Sequence, residues 1–539
     1  MRIFSLRPMR FKYGLLACAA AATLLLAGCG SSRLNSFTWE VDSVPSNLDP
    51  QTASSSSDVI AVTHLFSGLY RLDEQGKPQP DCAESCQVSQ DGLTYTFTLK
   101  EDLGYNGYRG GDTDAVLTAR DFVFGLQRVF LPETNSPWAR QLGNIQNGAL
   151  IAEGKADISQ LGVRALDDRT LEIRLEQPDE NFLAKLCLPG AMPCNEEYFL
   201  STKGTYGLES DTILGNGPFY LYNWTSEGLF VRRKADGSAI NSLRLVLRSS
   251  GTAADSGSDS SSSASSASSK TALEKLEDGQ VSAALSETPS DGSFSEIPYT
   301  ATTWVLMYNC QEEGLSSTAV RQGLSASALR TQLELTGSLS PAQGLIPPQV
   351  SAEGESYREL AGTILFESDD PLSLYKSGLA QAGLDRLSNI SVLVPEGQTA
   401  ELFSSINQQW QVELSAFFTV QELPLEEVWQ AVESGDYQIA LVPLTPSEDD
   451  PLNLLQQLAE GQWNGWQNPA FEEACRQESE NFSLQGSAAR AARLEEQLIV
   501  ERPVTPLFYE TDYLLVDPKV SGLVFQPFGP ILDVSGAKQ

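Results

Sequence analysis

Between Asp91 and Phe130 two hydrophobic periods follow one another, and together they limit the kind of structure the chain can build. Leu93, Tyr95, Phe97 and Leu99 alternate with Thr94, Thr96 and Thr98. That period of two predicts a half-buried strand, apolar on one face and threonine on the other. Asp91-Gly92 just before it is a tight-turn dipeptide. Thr118 and Asp121 then have capping-box spacing, with Asp in place of the usual Glu or Gln. They open a predicted helix whose apolar residues Phe122, Leu126, Val129 and Phe130 fall at helical spacing. Strand and helix in succession predict a mixed α/β protein. At 539 residues the chain is too long for one ordinary core, so two or three lobes are expected.

Five phrases run in order through this region: Gly68-Leu69-Tyr70, Gly76-Lys77-Pro78-Gln79-Pro80, Ala83-Glu84-Ser85, Asp91 to Leu99, and Leu117 to Phe124. Together they resemble the bacterial extracytoplasmic solute-binding proteins of the oligopeptide/dipeptide type (solute-binding family 5), lipoproteins that feed ABC importers. Further blocks fit in the same order. They include Pro45 to Pro50, Gly215-Asn216-Gly217-Pro218 to Trp224, Trp304 to Asn309, Thr318 to Ser325, and Pro503 to Phe508. The resemblance implies an α/β, periplasmic-binding-protein-like type II fold, two lobes joined by crossover strands plus an extra subdomain. It divides the chain into a lipoprotein signal peptide (1–28), a lipidated Cys and tether (29–36), and lobe I (37–62, 182–303 and 505–539). The extra subdomain is 63–181 and lobe II is 304–504. The Ser/Ala/Gly/Asp-rich stretch 249–269 reads as a disordered insertion in lobe I, because it has too little apolar surface to order itself.

The ends and the charge fit an exported protein. A basic segment (Arg2, Arg7, Arg10, Lys12) precedes an apolar run from Leu15 to Ala27, too short for a stable membrane anchor. Leu26-Ala27-Gly28-Cys29 resembles a bacterial lipobox, which implies lipidation of Cys29. Without the four basic residues of 1–28, 32 basic residues face 70 acidic ones, about −38. Such a chain would repel phosphate backbones, so no nucleic-acid partner is expected. Six cysteines remain beyond Cys18 and Cys29. An even count in an exported protein favours disulfides, and six allow fifteen connectivities. Cys82–Cys86 and Cys187–Cys194 lie close in sequence around turn-like residues, which leaves Cys310–Cys475. With no Cys-x-x-Cys pair and His64 the only histidine, no metal or other cofactor is expected.

Neither a Gly-x-Ser-x-Gly elbow nor a His-Glu-x-x-His motif is present, so the reading is not an enzyme. His64 falls in an apolar helix-like run and is expected to be a packed core or rim residue rather than a catalytic one. Pro218 lacks an N–H and no Lys-Ser/Thr follows, which excludes a P-loop at Gly215-Asn216-Gly217; the glycines are expected to serve a tight turn. The resemblance places candidate ligand residues at Ser54, in the Ser-rich run after the Leu48-Asp49-Pro50 turn, and at Trp138, in the Asn135-Ser136-Pro137-Trp138 loop. It also places them in the segment Leu444 to Pro451. There the family carries a Trp and an acidic residue that holds a peptide's amino terminus, but this chain has Leu444 and Ser447. A serine does not compensate a buried ammonium as a carboxylate does. Glu448 and Asp449 are therefore added as candidates, and the ligand is a peptide gripped differently or another small polar solute. The implied function is solute capture by a monomer for ABC permease and ATPase subunits at the extracytoplasmic face of the membrane. Alternatives from other classes are a surface sensor or adhesion lipoprotein of the same fold, and an extracellular hydrolase.

Overall fold

The computed structural model describes residues 35–233, 239–248, 270–461, 463–481, 483–528 and 531–539. The expected signal segment, Cys29 and the Ser-rich stretch 249–269 lie outside the described residues.

The stretch that opened the sequence reading folds as its two periods require. Thr94–Leu99 is a strand whose Tyr95, Phe97 and Leu99 are buried. It lies centrally in an antiparallel four-stranded sheet, between Ala83–Val88 and Thr170–Arg174, with Val163–Ala165 at the far edge. The helix Ala119–Phe130 packs Phe122, Leu126, Val129 and Phe130 into the same core. Its start is held as the spacing predicts: the Asp121 carboxylate accepts from the Thr118 N–H at 2.7 Å.

A second four-stranded sheet builds the lobe beside it, in the order Ser36–Val41, Ser242–Leu247, Gly228–Arg232, Tyr220–Thr225. The first pair is parallel and the rest antiparallel. The Gly215-Asn216-Gly217 segment clamps this lobe to the helix Ser56–Leu65. Asn216 exchanges two hydrogen bonds with the Ser67 backbone, at 3.1 and 2.8 Å. A Cβ on Gly215 would stand 2.3 Å from the Leu65 carbonyl oxygen, and one on Gly217 would stand 2.6 Å from its carbon. Neither glycine has a positive φ. The expected tight turn is thus corrected: close approach of two backbones, not a left-handed turn, excludes a side chain here.

Two long strands join the lobes. Ser295–Tyr308 and Val504–Val516 pair antiparallel along almost their whole length. At one end Val504–Val516 also pairs with Ala283–Ser286, and its Leu514 and Val516 enter the core of the first lobe. At the other end Thr303–Tyr308 pairs with Ile439–Leu444, which continues through Ser391–Pro395 to Thr419–Leu423 in the second lobe. The seven-stranded sheet thereby runs through both lobes. Its ladder breaks register twice, between Tyr299 and Thr302 and between Trp304 and Val305.

The Leu48-Asp49-Pro50 turn is locked by a buried ion pair. Arg128 of the helix Ala119–Phe130 donates through both terminal nitrogens to the Asp49 carboxylate, with one contact at 2.9 Å, and reaches the Gln51 side-chain oxygen at 2.6 Å. Both charged residues are 5% exposed. The Phe199 ring lies 4.1 Å beneath the guanidinium. His64, as expected, is a core residue: its Nδ1 contacts the Ile60 carbonyl at 2.7 Å and its Nε2 accepts the Val534 N–H at 3.0 Å. One nitrogen donating and one accepting is the neutral imidazole, and burial holds its pKa below the usual value.

The expected disulfides are not formed; Cys82, Cys86, Cys187, Cys194, Cys310 and Cys475 are all free thiols. Cys82 precedes the extended segment Ala83–Val88 and Cys86 lies within it, and four extended residues span roughly 13 Å, beyond the 7 Å a disulfide tolerates. Cys187 borders the subdomain core, while Cys194 lies in the neighbouring lobe, against Arg128 at 3.5 Å. Cys310 and Cys475 border one core without bonding; the Cys310 thiol is turned to the Tyr308 carbonyl at 3.5 Å. Burial pushes the Cys82, Cys187, Cys194 and Cys475 thiols up to about 12.

Two outcomes follow. Arg128→Ala leaves the Asp49 carboxylate buried and uncompensated, and should lower stability by about 3–5 kcal/mol in urea unfolding. Iodoacetamide added to unreduced, denatured protein should label all six of these cysteines by peptide mass mapping, and label them far more slowly in the folded protein.

Candidate functional site

Between the lobes lies a cleft of about 1270 Å³. One wall comes from the N-terminal half of the chain and the other from the second lobe, with Phe525 and Phe528 closing the side. Most of the residues singled out from sequence face it, and one does not.

Ser54 is exposed on the cleft wall, one residue before Ser55, whose Oγ accepts the Asp58 N–H and caps the helix Ser56–Leu65. Trp138 also lines the cleft, and is 9% exposed. Its ring is set by the Pro189–Ala191 turn: a Cβ on Gly190 would stand 2.5 Å from the Trp138 Cβ. The buried Trp138 Nε1–H has no acceptor in the protein.

Leu444 is corrected. It ends the strand Ile439–Leu444, pairs with Thr303, and is 2% exposed in the core of the second lobe. The residues beyond it do reach the cleft. Ser447 is exposed there, its N–H and Oγ turned to the Asn453 side-chain oxygen at 2.9 and 3.4 Å. The Asp449 carboxylate accepts from the Ser351 N–H and Oγ, both at 2.6 Å. Glu448 meets Arg140 from the opposite wall at 2.9 Å, and Arg140 also donates to the Gln456 side chain at 2.7 Å. The lobes are thus bridged across the cleft mouth.

The sequence reading missed Arg140, although it stands two residues past Trp138 in the same loop. It also missed Asp450, whose carboxylate caps the Leu452 N–H at 2.8 Å. Burial raises the pKa of Asp450, and neighbouring Glu448 adds to the shift. The remaining buried cations of the wall are internally matched. Arg71 pairs with Asp81 at 3.2 Å and with Asp533 at 3.0 Å, and Lys185 pairs with Asp179 at 2.8 Å. With Glu448 and Asp449 engaged by protein groups and Ser447 uncharged, no carboxylate stands where the resemblance places the holder of an amino terminus. Among the described residues, no group of three or more His, Cys, Asp or Glu is placed to hold a metal ion.

Two lobes on a shared pair of long strands, with a cleft between them, define a two-lobed α/β solute-binding fold. The comparisons give the family. The model for "Bacterial extracellular solute-binding proteins, family 5 Middle" matches residues 77–466. The chain belongs to that family. The oligopeptide-binding protein OppA of Bacillus subtilis is 22% identical, over 97% of this chain and 98% of its own. A probable deoxycholate-binding periplasmic protein of Escherichia coli is 27% identical, over 90% of each chain. The structure of Listeria monocytogenes OppA bound to peptide superposes with a TM-score of 0.67 at 20% identity, covering 94% of this chain and 99% of that one.

The cross-cleft bridge is solvent-exposed and therefore weak, at most about 1 kcal/mol. Arg140→Ala should shift the ligand-free protein toward the open form by no more than about fivefold. Small-angle scattering should show a larger radius of gyration with unchanged thermal stability.

Proposed function

We propose that this protein captures a peptide, or a small polar solute of similar size, by closing its lobes, and delivers it to an ABC permease without chemical change. The observation that carries the reading is the cleft itself. It lies between two cores joined by the paired strands Ser295–Tyr308 and Val504–Val516, and it is bridged at its mouth by Arg140 and Glu448. A cleft of this size exceeds a typical small-molecule pocket and suits an extended chain of several residues. The relatives named for oligopeptides, and the peptide-bound Listeria structure, support that ligand class.

On this reading Trp138 supplies an apolar face, and Ser54 and Ser447 supply adaptable hydroxyls. Water fills what the ligand's side chains leave open, so sequence specificity is low. The amino terminus is gripped differently from the family pattern, because Ser447 stands where a carboxylate is expected. Lipidation of Cys29 holds a monomer at the extracytoplasmic face, with residues 304–504 as the moving lobe and 37–62, 182–303 and 505–539 as its counterpart.

Native mass spectrometry of the soluble part, released without denaturation, tests the ligand class. A ladder of co-purified peptide masses is expected, and Trp138→Ala should reduce its occupancy at least about tenfold, as for a buried aromatic anchor. A single non-peptide mass, such as a bile acid, overturns the peptide assignment.

A further inference from the structure

The crossing between the lobes carries acidic groups and no cation to match them. Glu510 and Asp512 are two apart on Val504–Val516, so both project from the same face of the strand. They sit opposite the first of the two register breaks: Asp512 pairs with Tyr299, and Glu510 with Thr302. Next to them, Thr300 and Thr511 share a hydroxyl contact at 2.8 Å.

Each packing element contributes a group. The segment after Ala283–Ser286, on the side of the first lobe, brings Glu287, whose charge acts on both acids. The strand Ser295–Tyr308 brings the Tyr299 hydroxyl, and Trp304, whose Nε1 donates to Glu510 at 2.7 Å. The strand Leu339–Pro341, on the side of the second lobe, brings only Leu339 opposite Glu510. No lysine or arginine acts on either carboxyl, and none of the three acids belongs to an ion pair among the described residues. Glu287 approaches from one lobe, while Glu510 is fastened by Trp304 to the other. Rotation about the crossing therefore alters both their separation and the water around Asp512.

We propose that the Glu287, Glu510 and Asp512 cluster links lobe closure to proton uptake, so that the closed arrangement is favoured as pH falls through neutrality. This rests on the reading of solute capture by closure. With the lobes bridged, burial pushes the Asp512 carboxyl up to about 7, and Glu510 and Glu287 add repulsion. Burial also raises Glu510. An acid whose pKa is raised in one arrangement binds its proton more tightly there. That arrangement gains below the raised value and loses ground as pH climbs through it. The chain has a single histidine, and His64 is buried with its pKa lowered, so no imidazole supplies a transition near pH 7.

The test is small-angle scattering of the ligand-free protein between pH 5.5 and 8.5, repeated for Asp512→Asn and Glu287→Gln. The wild type should contract as pH falls, with a midpoint near neutrality. Asp512→Asn should stay compact across the range. Glu287→Gln, an exposed and structurally mild change, should move the midpoint down. An unchanged midpoint in the variants that fold overturns the proposal. So does a pH-independent shape in a protein that still contracts on adding a tryptic digest of casein. If the shape responds to neither pH nor peptides, the capture-by-closure reading falls as well.

Discussion

The pairing of Ser295–Tyr308 with Val504–Val516 is the constraint from which the rest follows. Two strands of this length, hydrogen-bonded to each other throughout, resist bending except where the ladder breaks. Each end is anchored in a different core: Leu514 and Val516 in the first lobe, Val305 and Met307 in the second. The lobes can therefore turn most readily at the two breaks, between Tyr299 and Thr302 and between Trp304 and Val305. The cleft exists because the crossing holds two compact bodies side by side without merging them.

What stands on the cleft walls is set by local chemistry on each lobe. The Pro189–Ala191 turn presses against Trp138, and Asn453 orients Ser447. Polar groups prepared in this way need no rearrangement when a ligand arrives, which reduces the entropy lost on binding. The internal ion pairs of Arg71 and Lys185 serve the same economy, since matched wall charges leave a ligand's backbone to compete only with water.

Much of this was legible in the chain. The alternation through Tyr95, Phe97 and Leu99 gave a strand, the Thr118–Asp121 spacing gave a helix start, and an isolated histidine in an apolar run gave a core residue. Each is a local rule, satisfied by neighbours in sequence. What failed was non-local. Leu444 was placed by resemblance to a family position, but it is the last residue of its strand, and its side chain turns into the core. The cysteine pairings were drawn from proximity in sequence, and an extended strand separates Cys82 from Cys86 however close their numbers are. Arg140 was invisible because its partner, Glu448, is 308 residues away, and only the angle between the lobes brings them together. The role of the Gly215 and Gly217 pair was half-read: their necessity was clear, but its cause was another helix end.

The His64 contact has a kinetic meaning beyond its packing. Its Nε2 receives the N–H of a residue 470 positions further along, and the same core takes in Leu532, Val534 and Ala537. The first lobe therefore contains both the earliest described strand and almost the last residues of the chain. Ribosomal synthesis reaches those residues long after His64, so this half must remain incomplete until then. Sequence separations of this size slow folding.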